Sequence, residues 1–365
     1  KLVHDGGIGT ALSRLDPDES PQRLIVDVSD SGSPVDDIVA LTTVIDPETR
    51  ITAIGTLNDV TLFRQLLAAG VSDYLVKPVD PKALDDALNA PIGRTGAKVD
   101  GKTRQGRVAV FIGARGGLGA STIATNVAYL AAHERARRVG LVDLDLQFGT
   151  VALALDLEPT GGLREALEQP GRIDSLFIDR AMVKRGERLF VLGAEEGLEN
   201  HLVFDPNGIA TLMRELMSKF QLTVIDLPRH GTAFYHSVLS CANDVFVLSD
   251  LSLAGIRDAI RLETLVKRHC PTARIRFLAC TPQNPRAGAV SIAAFEKGIG
   301  RKVSRVIPFD PKAAAASSNV GKPLSEIAAK SPLVKAIREI AVELSAVEKK
   351  SSKTEAVPFW RRWIQ

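Results

Sequence analysis

The stretch GARGGLGAST, Gly113 to Thr122, decides how this chain is read. It follows the apolar run RVAVFIG, Arg107 to Gly113, and opens into STIATNVAYLAAH, Ser121 to His133, which has a helical pattern. A strand, a glycine-rich turn and a helix make an anion site for a physical reason. Glycines let the backbone curl around phosphate oxygens, several amides point inward, and the helix N-terminus adds its dipole. Against the Walker A pattern G-x-x-x-x-G-K-[ST], framed from Gly113 to Ser121, the glycines and Ser121 are read as in place, Ala120 replaces the lysine, and a cation, Arg115, lies near the front of the loop.

Two further segments strengthen this reading. In LTVIDLP, Leu222 to Pro228, Asp226 ends an apolar strand, where a Walker B carboxylate holds the Mg²⁺ shell. In VGLVDLD, Val139 to Asp145, Asp143 and Asp145 are two residues apart, on one face of a strand or its exit. Open α/β sheets bind ligands at the C-terminal ends of their strands, and the loop, Asp145 and Asp226 all come from such ends. Either aspartate alone would read as a cap or turn residue. The three elements in this order predict a nucleotide site. DVFVLSD (Asp244 to Asp250), RIRFLAC (Arg274 to Cys280) and VSRVIPFD (Val303 to Asp310) read as further strands. SPLVKAIREIAVELSAVEK reads as a late amphipathic helix, with Leu333, Ile337, Ile340, Leu344 and Val347 at helical spacing.

The front of the chain alternates in the same way. LIVDV (Leu24 to Val28), ITAIGT (Ile51 to Thr56) and DYLVKP (Asp73 to Pro78) read as buried strands. DDIVALTTVI, DVTLFRQLLAAG and DPKALDDALN read as helices, with Gly70 as a C-terminal stop and Asp80–Pro81 as a start. Strands alternating with helices predict a parallel sheet. The segment PIGRTGAKVDGKTRQGR, Pro91 to Arg107, breaks the pattern and reads as a solvated basic linker. The expected organisation is therefore residues 1–90 as one α/β domain, 91–106 as linker, 107–348 as a second α/β domain and 349–365 as tail.

Bulk properties narrow the function classes. Of the 365 residues, 45% are hydrophobic and 24% charged, ordinary values for a globular protein. A net charge of +3 gives no strong reason to expect nucleic acid as the main partner. The three cysteines lack C-x-x-C spacing and suggest neither a disulfide framework nor a zinc site. No apolar run is long enough to cross a membrane as a helix. The chain begins at Lys1, so its true N-terminus is expected to lie upstream.

The loop, with its cation before the double glycine, resembles the deviant Walker A of the ParA/MinD ATPases. VDLDLQFGT and IDLP resemble their two switch segments. Within that superfamily the chain is similar to the CpaE/TadZ pilus-assembly proteins, which carry a receiver-like domain before the ATPase domain and share a segment like IPFDPKAAAASSNVGKPL, Ile307 to Leu324. The resemblance covers nearly the whole chain. It implies a truncated receiver-like (flavodoxin-like) domain, then a P-loop domain with a mostly parallel sheet. It implies ATP and Mg²⁺ bound by Gly116, Gly117, Leu118, Gly119, Ala120, Ser121 and Thr122. Ser121, Asp226 and Asp145 would lie at the metal, and Asp143 would brace the loop. Asp145 would position the attacking water. Arg115 matches the signature lysine that reaches the partner's nucleotide across a dimer, although arginine keeps the charge and not the shape. The loss of lysine at Ala120 should weaken ATP binding and slow hydrolysis more. The adenine contacts, expected near TPQNPR (Thr281 to Arg286), cannot be aligned.

For the front domain the resemblance places Asp27 at the phosphoacceptor position, Thr56 at the switch position and Lys77–Pro78 at the usual Lys-Pro pair. The domain would be entered at its second strand, without the first strand and its acidic pair, so a dimerisation or docking role is expected ahead of phosphorylation. The implied function is an ATP-dependent homodimeric assembly and localisation factor for Tad (Flp) pili. Its partners would be the pilus motor ATPase and polar or inner-membrane pilus components. It would bind no specific nucleic acid, and it would sit in the cytoplasm, at the pole or the inner-membrane face. The tail FWRRW, Phe359 to Trp363, suits a membrane interface or a partner groove. The alternative is a ParA-like DNA-segregation ATPase, which needs a basic DNA-binding face. A metabolic enzyme is a third reading, but no further substrate motif is visible and no cysteine pair suits an iron–sulfur cluster.

Overall fold

The computed structural model describes residues 3–15, 21–45, 49–89, 106–199, 205–230, 232–281 and 290–345. In the front part, α1 (Ile8–Arg14) precedes β1 (Arg23–Asp27), α2 (Pro34–Val44), β2 (Arg50–Gly55), α3 (Val60–Ala68), β3 (Asp73–Val76) and α4 (Pro81–Asn89). The strands form a parallel sheet in the order β1-β2-β3, with Asp27 registered against Ile54. Local chemistry sets the helix ends. Asp59 caps α3 by accepting from the amides of Thr61 (2.6 Å) and Leu62 (3.3 Å). Gly70 follows α3 with φ +104°. The core joins Ile38, Leu41 and Ile45 of the α2 segment to Val26, Ile51, Ala53, Leu66 and Tyr74.

The second part begins at β4 (Arg107–Gly113), followed by α5 (Ala120–His133) and β5 (Val139–Asp143). Next come α6 (Gly162–Glu168), α7 (Ser175–Ala181), β6 (Val183–Arg185) and β7 (Leu189–Leu192). Then α8 (Pro206–Lys219), β8 (Leu222–Asp226), α9 (Thr232–Leu239), β9 (Asp244–Asp250), α10 (Leu253–His269) and β10 (Arg274–Cys280) follow. The described chain closes with α11 (Ile292–Ile299), β11 (Val303–Ile307), α12 (Pro311–Val320), α13 (Leu324–Ile327) and α14 (Pro332–Ser345). The eight strands lie in the order β11-β10-β9-β4-β8-β5-β7-β6. All neighbours are parallel except β6 and β7, which pair antiparallel.

β4 sits in the middle of this sheet because it can be buried on both faces. Val108, Val110 and Ile112 point into one core with Phe177, Leu212, Val238 and Phe295. Ala109 and Phe111 point into the other, with Ile123, Val127, Ile337 and Ile340 from α5 and α14. The period-2 alternation thus serves two cores. Phe111 and its registered neighbour Phe246 stack with ring centroids 4.6 Å apart. The hairpin β6–β7 was not among the expected strands. Its run LFVL has only four residues, all buried, and Gly186 at φ +73° turns the chain before it. Helices α6, α7 and α8 were likewise absent from the sequence reading, although Asp205–Pro206 carries a start signal, with Asp205 accepting from the Asn207 amide at 2.8 Å.

The strand expected over Val139 to Asp145 is shorter, ending at Asp143, because the Asp145 amide folds back onto Asp143 Oδ1 at 3.0 Å. Asp143 is buried and Asp145 is half-buried in the turn beyond, so the two do not share a strand face. The linker up to residue 105, Val347, the tail Phe359 to Trp363 and Pro282 to Arg286 of the adenine segment lie outside the described residues. No described helix is long and apolar enough to cross a membrane.

Candidate nucleotide site

The site lies where the C-terminal ends of β4, β5, β8 and β9 meet. β4 runs between β8 and β9, so the chain leaving it enters the crevice at a switch of strand order. The first residues of the loop are fixed by backbone. The Ala114 amide donates to Leu248 O at 2.7 Å, and the Leu227 amide donates to Phe111 O at 3.0 Å. Counted back from Ala120, the first glycine position of a Walker A loop falls on Ala114, so Gly113 belongs to the strand.

Glycine is required at Gly117 and Gly119, whose φ values are +76° and +79°. A Cβ built at Gly116 or Gly117 meets nothing within 4 Å, so this side of the loop faces open space. Gly119 is the N-cap of α5, with no side chain capping it and no acid in the first turn. The amides of Ala120, Ser121 and Thr122 thus begin a 14-residue helix whose dipole favours an anion. Leu118 and Ala120 are half-buried beneath the loop, and Leu118 O accepts from Cys280 Sγ at 3.6 Å. Asn126 ties this helix to the late segment. Its Nδ2 donates to Thr122 O at 2.8 Å, and its Oδ1 accepts from the Leu324 amide at 2.7 Å.

Asp143 and Asp226 are direct register partners on β5 and β8. Asp143 accepts from the amides of Asp145 (3.0 Å) and Val151 (3.1 Å), which folds the segment after β5 around its carboxylate. Asp145 accepts from the Phe148 amide at 3.0 Å. The Ser121 hydroxyl lies near the Asp226 carboxylate and favours its charged form. Burial pushes Asp143 up to about 6, against the pull of its amide bonds. Burial, then the charge of Asp143, pushes Asp226 up to about 7. Two buried carboxylates side by side resist full ionisation, and a cation relieves both costs.

The donor set fits Mg²⁺ held through a nucleotide. Among the described residues no three His, Cys, Asp or Glu side chains converge into a metal cage. Mg²⁺ usually keeps several waters and takes only one or two protein carboxylates beside substrate phosphates. Ser121 and Asp226, whose electrostatics are linked, supply such a pair. Asp145, expected with them at the metal, is engaged by the Phe148 amide. Arg115 is half-exposed, and its Nη1 lies 3.3 Å from Asp250 Oδ2 of the same chain. Asp250 was missed in the sequence, although it ends a strand just as Asp226 does.

The comparisons with known proteins agree with this geometry. No protein-family model matches the chain. An ATP-binding protein of Methanocaldococcus jannaschii is 26% identical over 235 residues, 63% of this chain and 84% of that protein. A septum site-determining protein MinD of Guillardia theta is 25% identical over 223 residues, 60% of this chain and 80% of its own length. The crystal structure of a ParA family ATPase from Chlorobium tepidum superposes with a TM-score of 0.57 at 25% identity, over 66% of this chain and 98% of the other. The chain is similar in sequence and in fold to ATPases of the ParA/MinD superfamily. The match covers about two thirds of this chain and nearly all of the other.

Two measurements follow for this site. Without ligand, Asp143 and Asp226 hold protons that the unfolded chain has already released, so folding stability falls as pH rises from the ordinary carboxylate range to about 7. Asp226 must shed its proton to ligate a cation. Mg²⁺–nucleotide affinity is therefore expected to rise with pH between about 6 and about 7. Titration calorimetry in buffers of different ionisation heat should show proton release there, and a buffer-independent heat would contradict it. Gly149 carries the second. A Cβ there would meet Asp145 O at 2.4 Å and Asp143 Oδ2 at 2.6 Å. Gly149→Ala should cost about 1–3 kcal/mol in urea unfolding and weaken nucleotide binding.

Proposed function

We propose that this chain is an ATP- and Mg²⁺-binding, homodimeric assembly and positioning factor for Tad (Flp) pili, of the CpaE/TadZ kind. The observation that carries it is the union in one chain of the Asp143–Asp226 loop site and a front α/β unit whose Asp27 meets Lys77 Nζ at 2.5 Å. In that front unit Asp27 ends β1, and its other oxygen accepts from the Ser29 amide at 2.9 Å. This pairing holds its carboxyl below the usual range against the opposing pull of burial. Such an ion-paired aspartate suits a receiver-like domain used for docking.

In the mechanism, the amides after Gly116 and the α5 N-terminus hold the phosphates. Ser121 and Asp226 orient the cation, which would supply charge neutralisation at the phosphates. Asp143 keeps the segment after β5 folded. Asp145 would hold the attacking water. Ala120 offers no ammonium to the charge that develops during transfer, so the ATP-bound state is long-lived. A long-lived bound state suits a factor that recruits the pilus motor ATPase and a polar or inner-membrane component. The expected location is the cytoplasmic face of the inner membrane at the pole, with Phe359 to Trp363 as a possible membrane contact.

The test is association state against nucleotide. Light scattering should give monomer without nucleotide and dimer with ATP–Mg²⁺, and the dimer should retain the pilus motor ATPase on a column. An association state indifferent to ATP sinks the switch. Salt-sensitive binding to any DNA duplex would favour the ParA-like segregation reading instead.

A further inference from the structure

We propose that Asp250 is a positioning residue that restrains Arg115, so that a triphosphate must draw the guanidinium off this carboxylate to use it. The inference rests on the nucleotide reading of the loop and deepens it.

Arg115 is the only basic residue between Gly113 and Thr122, and Ala120 leaves the loop without another ammonium. Whatever holds Arg115 therefore decides whether the loop presents a cation to phosphate. Among the described residues a single polar contact holds it, Nη1 to Asp250 Oδ2 at 3.3 Å. The two halves of the pair differ in mobility. Arg115 is 46% exposed in its side chain, on a turn that faces open space. Asp250 ends β9 and is wedged. A Cβ at Gly255, in the first turn of α10, would lie 2.4 Å from both Asp250 O and Asp250 Oδ1. Asp250 Oδ1 is buried and has no hydrogen-bond partner. Asp250 is thus a fixed anchor, and its charge is compensated by Arg115.

Phosphate competes well for such a cation. It carries more charge than a carboxylate and accepts two parallel N–H bonds from the guanidinium fork. The lone 3.3 Å contact spends one of five donors and is the kind of half-exposed pair that is weak and salt-sensitive. The pair therefore acts as a low threshold on the guanidinium's reaching a phosphate.

The test uses the full-length protein and has two arms. In the first, without nucleotide, Arg115 is labelled with phenylglyoxal and its modification is followed by peptide mass spectrometry. Asp250→Asn should speed labelling by about two- to fivefold, the range an exposed ion pair supports. Raising the ionic strength of the wild type should do the same without any substitution. An unchanged rate in both overturns the restraint. In the second arm, ATP–Mg²⁺ is titrated into wild type, Asp250→Asn, Arg115→Ala and the double variant. Asp250→Asn should bind about two- to fivefold more tightly, and that gain should vanish in the Arg115→Ala background. A loss of affinity, or the same gain without Arg115, overturns the proposal, because either would mean that Asp250 acts on the loop by another route. Asp250→Ser repeats both arms should the amide fail to fold. If no variant binds nucleotide while labelling still accelerates, the proposed function falls and the restraint on Arg115 stands.

Discussion

Replacing Ala120 by lysine is expected to tighten ATP–Mg²⁺ binding by about tenfold to a hundredfold. A hydrogen bond to a charged partner contributes roughly 1.5–3 kcal/mol, and each 1.4 kcal/mol is a factor of ten. Ala120 is the first residue of α5 and half-buried at its mouth. A lysine there starts from the helix end where the phosphates are proposed to sit. The site around it is acidic, with Asp143 and Asp226 paired at the ends of β5 and β8. In the wild type the loop amides and the restrained Arg115 oppose that charge. Turnover should rise more than affinity, because negative charge grows on the transferred group in the transition state. A fluorescent-nucleotide titration reads the first effect and phosphate release reads the second. No change in either would mean that the Gly116–Thr122 loop does not grip phosphate.

The second large effect is expected at Asp145. Removing it in Asp145→Ala should lower turnover by about a hundredfold or more, while nucleotide affinity stays near that of the parent. Asp145 lies beyond the end of β5, half-buried, with one oxygen held by the Phe148 amide at 3.0 Å. It is therefore placed to hold a water, and the anion cradle does not depend on it. The comparison is sharpest in the Ala120→Lys background, where the starting rate is higher. Single-turnover assays should separate the rate from binding. Equal turnover would remove Asp145 from this role, and lost binding would make it a structural brace like Asp143.

What was legible in the sequence depended on signals that are local. β4, the glycine loop and α5 could be read because burial on both faces, positive φ and a helix start each leave a mark within a few residues. Asp226 and Asp143 could be read because each ends an apolar run. The hairpin β6–β7 could not, because four buried residues after a basic turn look like any short apolar run. The separation of Asp145 from the strand was hidden, since it depends on one amide folding back to Asp143. Asp250 was hidden for a different reason. Its role depends on Arg115, 135 residues earlier, and on the missing Cβ of Gly255, and neither is visible from DVFVLSD alone.

The sheet borders have a consequence for how copies can assemble. One border is β6, only three residues long and ending in Lys184–Arg185, a poor template for another strand. The other is β11, where Arg305 is tied to Glu339 of α14. Both borders thus discourage neighbouring molecules from extending the sheet by backbone pairing. Growth of this eight-stranded sheet from molecule to molecule is thereby disfavoured.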